Sequence, residues 1–263
     1  MTSNETVAVG IVSYNDAAIL QQCIDAVLAT VGPQIPVVVY DDASWSANAR
    51  LARQRPEAGE WLRTPDGYET PRLTIIENRI NRGSAYGRTQ LWRWAEESGY
   101  DRMATIDMDI RVHEHWLSTL LNVMDRHANC GIATYTYAND HGGHFPVVAD
   151  GQDLRVAETA SMCWLVRIAM LNDCLGPDLV WGMDPRMEVF SHDSEFSQRM
   201  RRGSDWRMFL SAEPLISEFV QHHSSRSNSP TLKAVADARR DKDFKVWAEL
   251  EASRGWDKDK TDP

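Results

Sequence analysis

The sequence predicts an α/β protein with a mostly parallel sheet, helices on both faces and a C-terminal helical tail. Three observations lead there. Short Val- and Ile-rich runs alternate with segments of helical period along the first 126 residues. Several of those runs end at acidic or polar residues. No internal repeat, and no linker rich in Gly, Pro or Ser, divides the 263 residues.

The elements follow in order. "TVAVGIVSY" reads as a buried strand ending at Asn15-Asp16. In "DAAILQQCIDAVLATV" the residues Ile19, Leu20, Cys23, Ile24, Val27 and Leu28 recur at helical spacing, and Gly32-Pro33 stops the helix. "IPVVVYDD" is a second strand, running into Asp41-Asp42. "RLTIIENRINRG" is a third strand with a loop, and "AYGRTQLWRWAEES" a helix closed by Gly99. "DRMATIDMDI" reads as a fourth strand and "HWLSTLLNVMDRH" as a helix. Beyond residue 130 the pattern loosens. "CGIATYTYA" and "ASMCWLVRI" look like strands, "NDHGGHFPVVADGQD" like a loop, and "HDSEFSQRMRRG" like a helix ending at Gly203. "WRMFLSAEPLISEFVQHH" begins with short strands. Ser229 and Pro230 then open a charged tail helix that frays after Gly255.

Composition excludes several classes. The net charge of −10 repels phosphate backbones, so no nucleic-acid partner is expected. No apolar run reaches the roughly 18 residues of a membrane span, and the N-terminus lacks signal-peptide character. Cys23, Cys130, Cys163 and Cys174 show no C-x-x-C spacing and read as reduced, buried thiols, which points to a cytoplasmic protein.

Chemistry gathers where strands end: Ser13-Tyr14-Asn15, Asp41-Asp42, Asp107-Met108-Asp109 and, later, His192-Asp193. In parallel sheets ligands bind beyond the carboxyl ends of strands. Carboxylates converging there repel one another unless a cation sits among them, and a hard divalent ion carrying phosphates fits. The D-x-D spelling recurs at Asp241/Asp243 and Asp257/Asp259, where a polar tail reads as a solvated helix face. His113-Glu114-His115 alternates along the chain rather than sharing a helix face, and reads as surface. His141 and His144 fall in the Gly-rich loop, lining an acceptor pocket or simply solvated.

"VAVGIVSYND", "VVVYDDAS", "NRINRGSAYGRTQL", "ATIDMDI" and "SHDSEFSQRMRRG" together resemble the family 2 glycosyltransferases of GT-A (Rossmann-like) fold, from about Val7 to about Ser227. The resemblance implies a Mn2+ or Mg2+ ion and a nucleoside diphosphate sugar donor, with a UDP- or GDP-sugar favoured. Ser13, Tyr14 and Asn15 would line the nucleotide pocket, and Asp41, with its neighbour Asp42, would accept a hydrogen bond from the base. Asn81, Gly83 and Arg88 would approach the nucleotide. Asp109 would hold the metal, Asp107 a ribose hydroxyl or a metal-bound water, and His222 would complete the metal site. Asp193 would be the catalytic base, with His192 replacing the acid that usually precedes it. The acceptor, a small molecule or a glycan, would meet residues of about 140–190 and the tail helix, with Tyr137, Trp164 and Trp181 as stacking candidates. The expected division is a transferase domain at 1–228, with a donor half at 1–112 and an acceptor half at 113–228, and a helical extension at 229–263. Single addition with inversion is the expected reaction. Two rivals stand beside it. A sugar-nucleotide-forming nucleotidyltransferase would want a basic Gly-rich loop where "SYNDAAIL" stands. A non-catalytic binding or scaffold protein of the same fold is the other.

Overall fold

The computed structural model describes residues 5–44, 52–135, 147–175, 180–188, 192–211, 220–222 and 230–254. In chain order the elements are β1 (Val7–Ser13), α1 (Ala17–Thr30), β2 (Val37–Asp41), β3 (Trp61–Arg63), β4 (Glu69–Pro71), β5 (Leu73–Glu77) and α2 (Ser84–Glu97). Then come β6 (Arg102–Asp107), β7 (Ile110–Val112), α3 (Trp116–Arg126), β8 (Cys130–Thr134), β9 (Val147–Asp150), β10 (Asp153–Val156) and β11 (Cys163–Arg167). The last are α4 (His192–Gly203), β12 (Arg207–Ser211), β13 (Val220–His222) and α5 (Pro230–Arg254).

The described residues form a nine-stranded sheet in the order β5-β2-β1-β6-β11-β8-β12-β10-β9. β10 and β11 run against the other seven strands, so the sheet is mostly parallel. β1 lies in the middle of the parallel half, and it is buried on both faces because helices cover both. Val9 and Ile11 meet α1 and α3 through Leu20, Ile24, Leu120 and Val123. Ala8 and Val12 meet α2 through Leu91 and Trp92 on the opposite side, where Phe196 of α4 also packs. A Cβ at Gly87 of α2 would lie 2.9 Å from the Tyr40 ring and 3.0 Å from Val12, so the missing side chain lets α2 settle close on the sheet.

Three features differ from the sequence expectation. "DRMATIDMDI" is two strands rather than one: β6 stops at Asp107, Met108-Asp109 turn, and β7 leaves the main sheet to pair with β13. "VVAD" belongs to a hairpin, β9 with β10, turned at Gly151 (φ 64°), and not to a loop. Its Asp153 is buried and takes a two-pronged bond from Arg126 of α3, both arms 2.7 Å. The β3–β4 hairpin has no counterpart in the sequence reading. The tail helix does begin at Pro230, while its expected cap Ser229 lies outside the described residues.

Candidate functional site

The register of the parallel half brings the expected residues to one edge. Ser13 lies opposite Asp41, and Val12 opposite Asp107. The chain leaves β1 through Asn15 (φ 56°) and Asp16 (φ 44°), and leaves β2 through Ala43 (φ 61°). Three residues with side chains in the left-handed region, side by side at two strand ends, cost energy that ordinary connections avoid. Contacts hold the shape. Asn15 N donates to Ser44 Oγ (2.7 Å), Ile19 N to Asp16 Oδ1 (3.2 Å), and Ser44 Oγ also donates to Asp41 Oδ1. Ser13 is fully buried and its hydroxyl points to the same Asp41 oxygen at 3.4 Å. Burial raises the Asp41 carboxyl above the ordinary range, against the pull of its Ser44 bonds.

Asp42 organises the next loop. Its carboxylate accepts from Arg82 N (2.9 Å) and Gly83 N (2.7 Å), and its carbonyl accepts from Asn81 Nδ2 (3.2 Å). Burial raises its pKa too, with those backbone donors opposing. Gly83 (φ 86°) is the residue before α2, and a Cβ there would collide with the Glu188 carbonyl. The glycine is thus explained by backbone conformation and by close approach of a second segment.

The turn at the end of β6 separates two carboxylates. Met108 is 8% exposed and belongs to the core, and Tyr14 N donates to its sulfur at 3.4 Å. Anchoring the middle residue inward leaves Asp107 and Asp109 half-buried beside it. Their combined negative charge is felt by the buried Cys23 thiol: burial first, then Asp109 and Asp107, push its pKa up. Arg88, 1% exposed, forms an ion pair with Asp107 and donates from Nε (3.2 Å) and Nη2 (3.0 Å) to the Ser161 carbonyl. Among the described residues its Nη1 has no hydrogen-bond partner, so a buried cationic donor is left over beside Asp107.

Ser161 is the residue that sequence reasoning missed. Its carbonyl holds Arg88, its N–H donates to Asp193 Oδ2 (3.3 Å), and its hydroxyl meets His192 Nε2 (3.1 Å). The next residue's carbonyl accepts from Asp107 N (3.0 Å). Asp193, in the first turn of α4, is therefore linked through one serine to the strand end that carries Asp107. His192 is buried against that serine. Glu158 was missed too. It accepts from the Ser194 hydroxyl, and its pKa is pushed up to about 7 by burial and by the charge of Asp193. Only contacts across more than 30 residues reveal these two side chains.

The remaining expectations divide. His222 pairs in register with Ile110, so its backbone lies beside the Asp109 turn. His115 and Glu114 are exposed, as expected of surface, whereas His113 is half-buried. Trp164 is fully buried and packs on Phe196 with ring centres 6.1 Å apart, so it is a core residue rather than a stacking platform. Trp181 donates to Asn172 Oδ1 (3.1 Å) beneath Arg93. Tyr137, His141, His144 and the pair Asp257/Asp259 lie outside the described residues. In the tail, Asp241 is exposed, but Asp243 is not: it is fully buried and accepts from Glu188 N (3.1 Å).

Among the described residues no three His, Cys, Asp or Glu side chains cluster as a metal site. Two carboxylates at a strand end nevertheless suit a hard cation, which is often held by one or two protein oxygens with substrate phosphates filling the rest. No helix among the described residues is long and apolar enough to cross a membrane.

Comparisons with known proteins agree with this architecture. None of the curated proteins matches the chain. Among solved structures, S. aureus TarS 1-349 in complex with UDP-GlcNAc is similar at a TM-score of 0.58 and 13% identity, over 85% of this chain and 61% of that one. GalNAc-T7 with UDP, GalNAc and Mn2+ gives 0.58 and 12%, over 81% and 43%. The mannosyltransferase PcManGT from Pyrobaculum calidifontis, with GDP-Man and Mn2+, gives 0.57 and 17%, over 82% and 59%. The chain thus spans about two fifths to three fifths of the length of these structures. The family model described as Glycosyl transferase family 2 matches residues 8–169, more than half of the sequence, and the chain belongs to that family.

Proposed function

We propose that the chain transfers one sugar from a UDP- or GDP-sugar to an acceptor hydroxyl or similar nucleophile, with inversion, and that Asp193 is the base. The observation that carries this reading is the Ser161 link, which ties Asp193 to the strand end bearing Asp107. A base and a diphosphate-binding edge held by one residue suit displacement at an anomeric carbon between them. The solved structures with UDP-GlcNAc and GDP-Man support the donor class.

In this reading Asp41 faces the base of the nucleotide and accepts from a uracil or guanine N–H, while its neighbour Asp42 holds the loop at Arg82 and Gly83. Ser13, Tyr14, Asn15, Asn81 and Gly83 shape the pocket around it. The Arg88 Nη1 donor serves the donor's ribose or phosphates, while its Nη2 keeps Asp107 in place. Asp109, with Asp107 and His222, would hold Mn2+ or Mg2+, and a bound ion supplies charge neutralisation of the departing diphosphate. Asp193 accepts the proton of the acceptor nucleophile at its carboxylate. Ser161 N–H holds that carboxylate in place at the N-terminal turn of α4. His192 takes the place of the usual acid by bonding Ser161 rather than by carrying negative charge.

We further read 1–228 as the transferase unit, with donor residues in 1–112 and acceptor residues in 113–228, and 229–263 as an extension. The acceptor is a small molecule or a glycan. Four free, buried cysteines favour a cytoplasmic setting.

The test is turnover of a UDP- and GDP-sugar panel with Mn2+. Asp193→Asn is expected to lower kcat by roughly 10²- to 10⁴-fold with donor affinity retained. Equal turnover by the variant contradicts the assignment, and a wild type without turnover favours the scaffold alternative.

A further inference from the structure

The tail helix grips the core at two points that flank the site. At mid-helix, Asp243 is fully buried and accepts from Glu188 N (3.1 Å). Arg239 (3.2 Å) and Lys242 hold the Glu188 carboxylate. The Glu188 carbonyl lies directly over Gly83 and is within 3.4 Å of Ala85 N. Gly83 N and Arg82 N in turn hold Asp42. Burial raises the Asp42 pKa, and the charge of Arg239 is close enough to be among the contributions opposing that rise. A continuous set of contacts therefore runs from α5 to the loop at the edge of the nucleotide pocket.

The second point is the helix end. Arg254, 5% exposed, pairs with Glu195 (2.6 Å) and reaches Asp184 (3.8 Å). Glu195 is two residues past Asp193 on α4, is fully buried, and also pairs with Arg199 (2.8 Å). Arg199 continues to the Cys174, Val180 and Gly182 carbonyls at 2.5–2.8 Å. Asp184 is fully buried and pairs with Arg186 (2.5 Å). Buried pairs of this kind add little net stability over apolar packing, because each charge must be desolvated. What they impose is geometry, since a buried carboxylate accepts few alternative arrangements.

We propose that α5 is a positioning clamp, with Asp243 setting the donor loop at Gly83 and Arg254 setting the helix that bears Asp193. The inference rests on the function proposed above. Neither residue contacts the reacting atoms in this account; each acts through another residue.

The two grips predict a split in kinetics. Donor affinity is read by calorimetry with UDP or GDP and Mn2+, and kcat by turnover, each on the full chain. Asp243→Leu, which removes the acceptor, is expected to weaken nucleotide binding about tenfold and to change kcat much less. Arg254→Met is expected to lower kcat by about tenfold or more with nucleotide affinity within about twofold, and Arg254→Lys to recover part of the loss. Should either buried substitution prevent folding, Arg239→Gln with Lys242→Gln loosens the half-buried Glu188 clasp instead, and weaker nucleotide binding is again expected. Folded variants with wild-type affinity and kcat overturn the clamp while leaving the transferase reading intact. A wild type that binds no nucleoside diphosphate overturns that reading, and the clamp with it.

Discussion

Ser161 shows how much of a site can depend on a residue with no chemistry of its own. Its carbonyl, N–H and hydroxyl each serve a different partner: Arg88, Asp193 and His192. The aspartates at 107, 109 and 193 were legible because each follows an apolar run or opens a helix. Ser161 was not, since nothing local marks a serine whose partners lie 31 to 73 residues away. Glu158 was hidden for the same reason, and it carries a pH signature. Its pKa rises from 4.5 to about 7, so the folded protein holds a proton the unfolded chain has released. Stability from this group is fully present below about pH 4.5 and is lost as pH rises to about 7. The melting temperature of Glu158→Gln should fall less than that of the wild type across this window. Parallel melting curves for the two proteins would contradict the assignment.

At the scale of elements, period and punctuation located the parallel half well. β1, α1, β2, β5, α2, β6 and α3 lie where apolar spacing puts them, because each buries a face whose pattern is written within its own segment. The hairpins were lost. β3 and β4 are three residues each and present exposed Trp61 and Glu69, too short and too polar to signal a strand. Asp243 misled because a helix of charged residues looks solvated until the segment it covers is known. The start of α2 gives a direct test. Gly83→Ala combines a positive φ with a collision against Glu188, a cost of roughly 1–3 kcal/mol. The expected outcome is a lower melting temperature together with weaker nucleotide binding, since Gly83 N also holds Asp42. Loss of stability with unchanged nucleotide affinity would separate this loop from the donor pocket.

The whole molecule follows from one topological fact: β1 lies between β2 and β6, so the residues after three parallel strands gather at one edge of the sheet. The antiparallel β11 then brings Ser161 to the end of β6, and α4 brings Asp193 to Ser161. Order along the sheet is written in no local pattern; it emerges when both faces of β1 must be covered by helices. The mostly parallel architecture was legible, whereas the grip of the tail helix on both sides of the site was not.

The most direct test of the central claim is thermal melting of the wild type and of Asp109→Asn with UDP, GDP and their sugars, in Mn2+ and in EDTA. A ligand that binds only the folded state raises the melting temperature by mass action. The account predicts a rise for one nucleotide class in the wild type with Mn2+, abolished by EDTA and by the substitution. A rise that survives both, or no rise with any donor, contradicts a metal-dependent nucleotide-sugar site at Asp107 and Asp109.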